Sequence, residues 1–384
     1  MTSSRIHFVQ GLRFSCTGCG KCCHNDWDLL VTKEKAESIQ ETELYAEKVR
    51  QGFTPLRVLD ELFVLGTKET GGCVFLDGEL CELHRDLGPD SKPLGCQLFP
   101  LNLVQAPDGY HVSLSFACPA VLAGVGTPID ERREWLSKFI AAENEIPPLC
   151  VVPDQISVSH QREIPYDEYL ELEAKLVACL DDSLCPQGII NWACTMLEEG
   201  PDFSVSSWSP LKVCPLLEEA LQLLDLFGRS IVGIMELEAS PHEREAYIQS
   251  LTEDYQGRSY RTGADFPNFA FYRPPSEMAR AVIVKFFRSQ FLGKRLLTGQ
   301  TVVSRLLAFG TALAVICYYL EAQAREYKSL HFSFEHLEKA FAIVEENVLT
   351  HSEDLEPFFL KYEEALADIL GCSEEEQLET TAGV

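Results

Sequence analysis

The segment CTGCGKCC, residues 16–23, places four cysteines within eight positions. A packed core does not need four thiols so close together in the chain. In the pattern C-x2-C-x2-C a tight turn can aim three sulfur atoms at one centre, and Gly18 and Gly20 let the backbone fold around that centre. Bacterial ferredoxins use this triple spacing for three ligands of an iron–sulfur cluster, and zinc also accepts four thiolates. The segment therefore predicts a metal centre.

The cysteines are unevenly distributed along the chain. Of the 15 cysteines, eight precede residue 120 and seven are scattered over the remaining two thirds. In a protein without a secretory signal, clustered cysteines are more often metal ligands or redox groups than disulfides. The eight candidate ligands are Cys16, Cys19, Cys22, Cys23, Cys73, Cys81, Cys96 and Cys118. The scattered seven are predicted to be small buried hydrophobic residues.

Two arrangements of these ligands are open. Cys22 and Cys23 are adjacent, and neighbouring side chains of an extended chain point apart, so the two need not serve the same centre. One division makes a first site from Cys16, Cys19, Cys22 and Cys118, and a second from Cys23, Cys73, Cys81 and Cys96, with His24 or His84 as substitutes. In the other arrangement a single site uses four of the eight, and the rest pack around it.

The charge balance and the apolar runs limit the partners. The chain carries 59 acidic against 32 basic residues, a formal net charge of -27. Because such a surface repels phosphate backbones, we expect no nucleic-acid partner.

No signal peptide is visible at the start, so a cytoplasmic location is expected. The longest apolar run, Leu306–Leu320, is shorter than the roughly 20 residues of a bilayer span, which predicts a buried core helix and no membrane partner.

The pattern of short strands and longer helices predicts the α+β fold class. Residues 1–125 are expected to form a small cysteine-cluster module with short strands, residues 126–372 a mainly helical domain, and residues 373–384 a disordered acidic tail. The first module is predicted to contain a strand over Trp27–Thr32, a helix over Lys33–Val49 capped by Thr32, a hairpin around Asp77 and Gly78, and a strand over Tyr110–Pro119. The helical domain is predicted to contain helices over residues 165–180, 214–228, 276–293 and 334–349, with Gly228 and Gly293 as stops and Ser333 as a cap.

Two stretches carry a family resemblance. FSCTGCGKCCHNDWDLLVT, residues 14–32, and GCVFLDGELCELHRDLGPDSKPLGCQLFPL, residues 72–101, together resemble the CxxCxxCC cysteine-cluster family of zinc- or iron-chelating domains. The shared pattern is the opening quartet, a Cys-x-Phe-Leu at Cys73, a further cysteine at Cys81, and Cys96 shortly before Phe-Pro. The resemblance covers about the first third of the chain and implies that these cysteines bind metal.

The rest of the chain is similar in order and style to the flagellin lysine-N-methylase branch. The similar stretches are SLSFACPA at residues 113–120, ADFPNFAFYRPP at residues 264–275 and ENVLTHSEDLEPFF at residues 346–359. That resemblance implies methyl transfer from S-adenosylmethionine to a lysine-bearing protein substrate, with an iron–sulfur cluster, of the 4Fe-4S type, involved. The opening quartet departs from the branch, whose first cysteines have wider gaps.

Motifs outside the cysteines do not show a methyltransferase. LAGVGT, residues 122–127, is a lone G-x-G, and the radical S-adenosylmethionine spacing C-x3-C-x2-C is absent. Three functions therefore compete. The first is an iron–sulfur protein lysine N-methylase, for which an acidic surface would suit a basic substrate. The second is a non-catalytic metal-binding or metal-transfer protein, and the third is a structural zinc protein whose helical domain binds a partner.

Overall fold

The computed structural model describes residues 5–24, 29–59, 62–141, 150–236, 274, 276–326, 333–350 and 355–371. The chain groups into two units. The cysteine-rich unit comprises Gln10–Asn102 and Cys118–Pro148, and the helical unit comprises Met1–Val9, Leu103–Ala117 and Leu149–Val384. The fold is α+β, as the sequence predicts. The linear domain boundaries at residues 125 and 372 stay predictions, and the predicted tail lies outside the described residues.

The regular elements are numbered in chain order. The strands are β1 (Ile6–Phe8), β2 (Arg13–Phe14), β3 (Leu30–Val31), β4 (Leu56–Leu59), β5 (Leu62–Leu65), β6 (Leu76–Asp77), β7 (Leu80–Cys81), β8 (Leu101–Ala106), β9 (Gly109–Leu114), β10 (Thr127–Pro128), β11 (Cys150–Val151), β12 (Gln155–Ser159) and β13 (Arg162–Pro165). The α-helices are α1 (Lys33–Gln40), α2 (Glu43–Arg50), α3 (Glu82–Leu87), α4 (Leu94–Leu98), α5 (Pro119–Leu122), α6 (Arg133–Ala141), α7 (Tyr166–Ala178), α8 (Leu180–Ser183), α9 (Pro186–Glu199), α10 (Leu217–Glu236), α11 (Glu277–Leu292), α12 (Val302–Glu326), α13 (Phe334–Val344) and α14 (Glu356–Ile369). Short 3-10 helices cover Lys21–Cys23, Pro89–Ser91, Ile129–Arg132, Gly200–Asp202 and Arg295–Leu297, and a π-helix covers Glu345–Thr350.

The cysteine-rich unit is built around a small sheet of order β3-β5-β4 and two short helices. Thr32 caps α1 as predicted, because its hydroxyl accepts a hydrogen bond from the Lys35 N–H. The predicted single helix is wrong: α1 ends at Gln40 and α2 begins after Thr42. The Thr42 hydroxyl donates to the Ile39 carbonyl and accepts from the Tyr45 N–H, a local competition with helical bonds that divides the segment.

A hairpin of two short strands, each two residues long, follows this sheet in the chain. β6 and β7 pair antiparallel, with Leu76 opposite Cys81 and Asp77 opposite Leu80. Gly78 in the turn has a φ of 60°, a conformation that glycine adopts without steric cost. The hairpin predicted at this point is confirmed. Within the described part of the strand predicted over residues 27–32, β3 covers Leu30 and Val31, and residues 27 and 28 lie outside the described residues.

The helical unit also contains a four-stranded sheet of order β1-β9-β8-β11. β1 runs parallel to β9 with His7 opposite His111, and β8 joins β9 through the two-residue turn at Pro107 and Asp108. The strand predicted to reach Pro119 ends at Leu114. Beyond Leu114, the N–H groups of Phe116 and Ala117 donate to a carboxylate oxygen of Glu345, so they do not form hydrogen bonds with a neighbouring strand.

The central helix of this unit is α12, which packs against α9, α10, α13 and α14. A Cβ on Gly310 would lie 2.8 Å from Ile190 Cδ1, so glycine allows α9 and α12 to approach closely. By length and composition, Val302–Glu321 is apolar enough to cross a membrane, but 89% of its most apolar window is buried in the protein. That burial is compatible with a core helix of a soluble protein, as the apolar run predicts.

The other predicted helices agree with the structure except at some ends. α7 and α11 form where predicted, and Ser276 caps α11 through the Ala279 N–H. Ser333 caps α13, which ends at Val344 and continues as the π-helix. The predicted stop at Gly228 is wrong. Buried Phe227, Ile231 and Val232 continue the apolar face of α10, and their burial outweighs the roughly 1 kcal/mol that an interior glycine costs a helix.

Glu345, the first residue of the π-helix, is a buried carboxylate in this core. One carboxylate oxygen accepts from the Phe116 N–H at 2.6 Å and from the Ala117 N–H at 2.9 Å. Burial raises the pKa of Glu345 to about 7, although these two bonds and the nearby Arg295 oppose the rise. The folded protein therefore holds the neutral acid more readily than the unfolded chain does.

Replacing Glu345 with glutamine should reduce the pH dependence of stability. The folded pKa lies above the ordinary value of 4.5, so the stability that this group contributes is complete below pH 4.5 and is lost as the pH rises through 7. The loss is on the order of 3 kcal/mol. Glu345→Gln keeps an acceptor for the two N–H groups and cannot ionise. Urea unfolding at pH 5 and pH 8 should show a smaller fall in unfolding free energy for the variant.

Glu335→Gln is the matched control, because the Glu335 side chain on α13 is 68% exposed. It should leave the pH profile unchanged. If Glu345→Gln and the wild type lost the same free energy between the two pH values, the assigned ionisation of Glu345 would be wrong.

Candidate metal centre

Six of the eight candidate cysteines line one cavity in the cysteine-rich unit. The cavity has a volume of about 380 Å³. Its cysteines are Cys16, Cys22, Cys23, Cys73, Cys81 and Cys96. Apolar side chains complete the wall, among them Leu29, Leu65, Leu80, Leu83 and Phe99. Three separate segments of the chain therefore bring their sulfur atoms to a common space.

The first three of these cysteines, Cys16, Cys22 and Cys23, lie in residues 16–23, which we call the opening loop. Gly20 has a φ of 69° and precedes the 3-10 helix that carries Cys22 and Cys23. The Cys23 N–H donates to the Gly20 carbonyl at 2.8 Å. A Cβ on Gly20 would lie 2.7 Å from the backbone oxygen of Glu79, so this loop packs closely against the turn between β6 and β7. Glycine at position 20 is thus required by both conformation and space.

The hairpin segment supplies two more cysteines. The Cys73 N–H donates to the Cys23 carbonyl at 2.7 Å, which joins this segment to the opening loop. Cys81 ends β7 and stands immediately before α3. The N–H groups of Leu83 and His84, at the start of that helix, favour the thiolate of Cys81. The backbone of the hairpin therefore both places and polarises the two sulfurs.

The third segment is α4, which carries Cys96. The Lys92 ammonium, just before that helix, donates to the Cys96 carbonyl at 3.3 Å and lines the same cavity. Cys73, Cys81 and Cys96 also pack against the apolar core of the unit, which includes Phe75 and Leu83. The sulfur-lined cavity is thus continuous with the core that supports it.

Two of the thiols are activated by their neighbours. A hydrogen bond with Cys23 lowers the pKa of Cys22 to about 7, and the charge of Lys92 acts in the same direction against burial. A hydrogen bond with Cys23 also lowers the pKa of Cys81, to about 6. The same two bonds raise the pKa of Cys23 far above its ordinary value. Cys22 and Cys81 can therefore be thiolates near neutral pH, the form that binds metal.

Burial favours the protonated form of three other thiols, those of Cys73, Cys96 and Cys118. Burial raises the pKa of Cys73 to about 11 and that of Cys96 to about 12. Burial likewise raises the pKa of Cys118 to about 11. Metal binding to any of these residues must displace a proton, so loading couples to pH.

The structure does not group the predicted cysteine ligands into the two separate sites of the first arrangement. Cys22 shares the cavity with all four cysteines assigned to the second site. Cys118 is close enough to Cys19 and Cys22 for their charges to affect it, but it is not among the cavity-lining residues of the described chain, and neither is Cys19. His84 lines the cavity. The single shared cavity favours the arrangement with one centre.

Lys92 is a residue of this cavity that the sequence did not reveal. It lies four positions before Cys96, in DSKPLGC, and no motif gives that lysine a role. The scattered cysteines that the structure describes do not line this cavity, and Cys194, Cys214 and Cys317 are buried as predicted. Cys150, Cys179 and Cys185 are half-buried, and Cys372 lies outside the described residues.

Comparison with known proteins finds one family whose model matches the cysteine-rich segment. Residues 15–119 match the family model CxxCxxCC, described as "Putative zinc- or iron-chelating domain". This match confirms the resemblance. The matched segment includes all eight candidate cysteines, and it is similar to domains that chelate zinc or iron.

One curated relative is also similar. The "Uncharacterized protein MJ0939" of Methanocaldococcus jannaschii is 26% identical over 101 residues, which are 26% of this chain and 33% of that protein. The alignment thus spans about a third of the relative's length. No solved structure matches the chain. The resemblance to the flagellin lysine-N-methylase branch stays a prediction.

Adding a single methyl group at Gly20 should disrupt the cavity. Gly20→Ala places a Cβ against the backbone of Glu79 and should displace the opening loop. The loss of unfolding free energy should exceed the roughly 1–2 kcal/mol that left-handed backbone costs a residue with a Cβ. Metal content per chain should fall with it. Chemical unfolding and elemental analysis of the purified variant measure the two effects.

Gly52→Ala is the matched control. Gly52 has a φ of 90° in the same unit, but a Cβ there meets no atom within 4 Å. This variant should lose only the backbone cost and keep its metal. Equal losses in both variants would show that the contact between the opening loop and the hairpin turn does not support the site.

Proposed function

We propose that the protein is an iron–sulfur protein whose cluster occupies the six-cysteine cavity. The observation that carries this proposal is a cavity of about 380 Å³ lined by six thiols. A zinc ion held by four thiolates at about 2.3 Å draws the sulfur atoms to within about 4 Å of one another and needs no such space. A cluster of iron and sulfide fills a larger volume between its cysteine ligands.

The spacing of the sulfur atoms supports the same choice. Among the described residues, the side chains of His, Cys, Asp or Glu whose ligand atoms meet in a group of three within 4.8 Å are His7, Asp108 and His111. No three of the cavity sulfurs in the described residues therefore lie mutually within 4.8 Å, although Cys23 is in hydrogen-bond contact with both Cys22 and Cys81. The ligand type is consistent with this choice, because soft thiolate ligands bind iron–sulfur clusters as well as zinc.

The ligands of the cluster would come from the cavity cysteines. Cys22 and Cys81 are the first candidates because their pKa values are lowered, and Cys23 lies between them in hydrogen-bond contact with both. Cys16, Cys73 and Cys96 line the same space. A bound cluster would supply one-electron redox chemistry or an iron site open to a substrate.

Other residues of the cavity would tune the cluster. Lys92 places a positive charge near Cys22 and Cys81, which offsets the negative charge of gathered thiolates. The leucines and Phe99 limit the access of water, which affects the potential of a buried cluster. These contributions depend only on side chains that the structure already brings together.

Anaerobically purified protein should contain iron and acid-labile sulfide and show a broad visible absorption band. Cys22→Ser and Cys81→Ser should each abolish this loading, because serine is a poor ligand for a soft metal centre. Cys185→Ser should leave it intact. Cys185 caps α9 in the helical unit by accepting from the Gly188 N–H, a role that serine also fills. Stoichiometric zinc without sulfide would overturn the proposal.

Protein-lysine methylation is the second candidate function, carried by the branch resemblance and the net charge of -27. An acidic surface favours encounter with a basic, lysine-bearing partner. Cluster-loaded protein, radiolabelled S-adenosylmethionine and flagellin should yield labelled flagellin, and Cys22→Ser protein should not. If loaded wild-type protein transferred no label to flagellin, methylation would be excluded for this substrate while the iron–sulfur assignment stood.

A further inference from the structure

A second group of polar side chains lies in the helical unit, outside the cysteine cavity. Its members are His7 on β1, His111 on β9 and Asp108 in the turn between β8 and β9. The ligand atoms of the three side chains all lie within 4.8 Å of one another. We infer that these three residues form a binding site for a divalent transition-metal ion.

The sheet register brings the two histidines together. β1 and β9 are parallel neighbours, and His7 stands directly opposite His111. Their rings stack with centroids 4.7 Å apart and planes inclined by 13°. The Tyr110 N–H donates to the Arg5 carbonyl at 2.8 Å, and a Cβ on Gly109 would lie 2.4 Å from that same carbonyl oxygen. This close approach fixes the strand that carries His7.

Asp108 adds the carboxylate on the same side. Its Oδ1 lies 2.8 Å from His111 Nε2, and its Oδ2 lies 3.8 Å from His7 Nε2. The Tyr166 hydroxyl donates to Oδ1 at 2.8 Å and lies 3.4 Å from His111 Nε2. Two imidazole nitrogens and a carboxylate thus face one another, with a phenol as a neighbour that can orient the carboxylate.

The donor set indicates the class of ion. Two imidazoles and one carboxylate suit zinc, iron(II), cobalt(II) or nickel(II), whereas calcium and magnesium prefer oxygen ligands throughout. The side chains of His7 and Asp108 are 41% and 31% exposed, which gives an ion access from solvent, while His111 is 8% exposed and anchors the site.

The local charges permit a bound cation. Lys294 is the nearby cation, and its ammonium is held by both carboxylate oxygens of Glu173, at 2.6 and 2.8 Å. Both partners of this ion pair are buried, and their charges offset each other. Among the described residues, the ion pairs of Asp108 are with His7 and His111 and none is with a lysine or arginine, so its negative charge faces the two histidines.

Cobalt(II) distinguishes this site from the cysteine cavity, because thiolate ligands give intense charge-transfer bands that nitrogen and oxygen ligands lack. Cluster-loaded full-length protein should bind one equivalent of cobalt(II) with visible d–d bands and no new thiolate band. His7→Ala and Asp108→Asn should each weaken this binding by at least about 100-fold, because losing even an outer partner of a metal ligand costs about 10- to 100-fold in affinity. Zinc should displace the cobalt.

The controls separate this site from the proposed cluster. Cys22→Ser, which removes the cluster, should keep the weak d–d bands of this site, and any cobalt bound by the vacated cavity thiols is recognised by its separate, intense thiolate band. His160→Ala, at the turn between β12 and β13, should also leave it unchanged. The inference is overturned if wild-type protein shows no stoichiometric d–d signal, or if His7→Ala retains full affinity. Because His7 is half-exposed, its replacement tests the site without removing core packing.

Discussion

The hydrogen bond from the Cys73 N–H to the Cys23 carbonyl is the link on which the cysteine-rich unit depends. At 2.7 Å it joins the opening loop to the hairpin segment, and it does so one residue from Cys22. Gly20 allows the loop to approach the hairpin turn, and α4 closes the third side with Cys96. Backbone contacts thus gather the sulfur atoms, and the thiols need not attract one another for the cavity to form.

Gathering thiols in this way has an electrostatic consequence. Two thiolates near neutral pH, at Cys22 and Cys81, repel each other, and burial opposes ionisation of Cys73 and Cys96. A metal centre relieves both effects because it replaces protons and offsets negative charge. Its binding free energy then becomes part of the folding free energy of a unit with short strands and a small core. Lys92 gives partial relief in the absence of metal.

Local sequence signals predicted much of the fold. Thr32 and Ser333 cap helices where hydroxyls precede apolar periodicity, and the chain turns at Asp77-Gly78 in the hairpin. One failure, the division of the predicted helix at Thr42, has a local cause, and two others occur where tertiary contacts override local signals. Gly228 does not end α10 because the helix continues into the core, and the strand after Leu114 gives way to bonds with Glu345, more than 200 residues away.

For the candidate metal site, too, local sequence patterns predicted the residues, whereas long-range contacts that determine their arrangement could not be predicted. Cysteine spacing and the family resemblance identified the metal-binding segment, and all six cavity cysteines were among the predicted ligands. The sequence did not show that Cys22 shares a cavity with Cys73, Cys81 and Cys96, since that follows from long-range backbone bonds. Lys92 has no motif, and the pairing of His7 with His111 depends on a strand register across about 100 residues.

Thiols from separate segments that surround one metal centre should be shielded together when the metal is bound. Alkylation by N-ethylmaleimide, mapped by mass spectrometry with and without a chelator, measures this shielding at each cysteine. Cys22 and Cys81 should react slowly in metal-loaded protein and quickly after chelation, while Cys185 should react at the same rate in both states. Equal reactivity of Cys22 and Cys81 in the two states would show that they do not hold the metal.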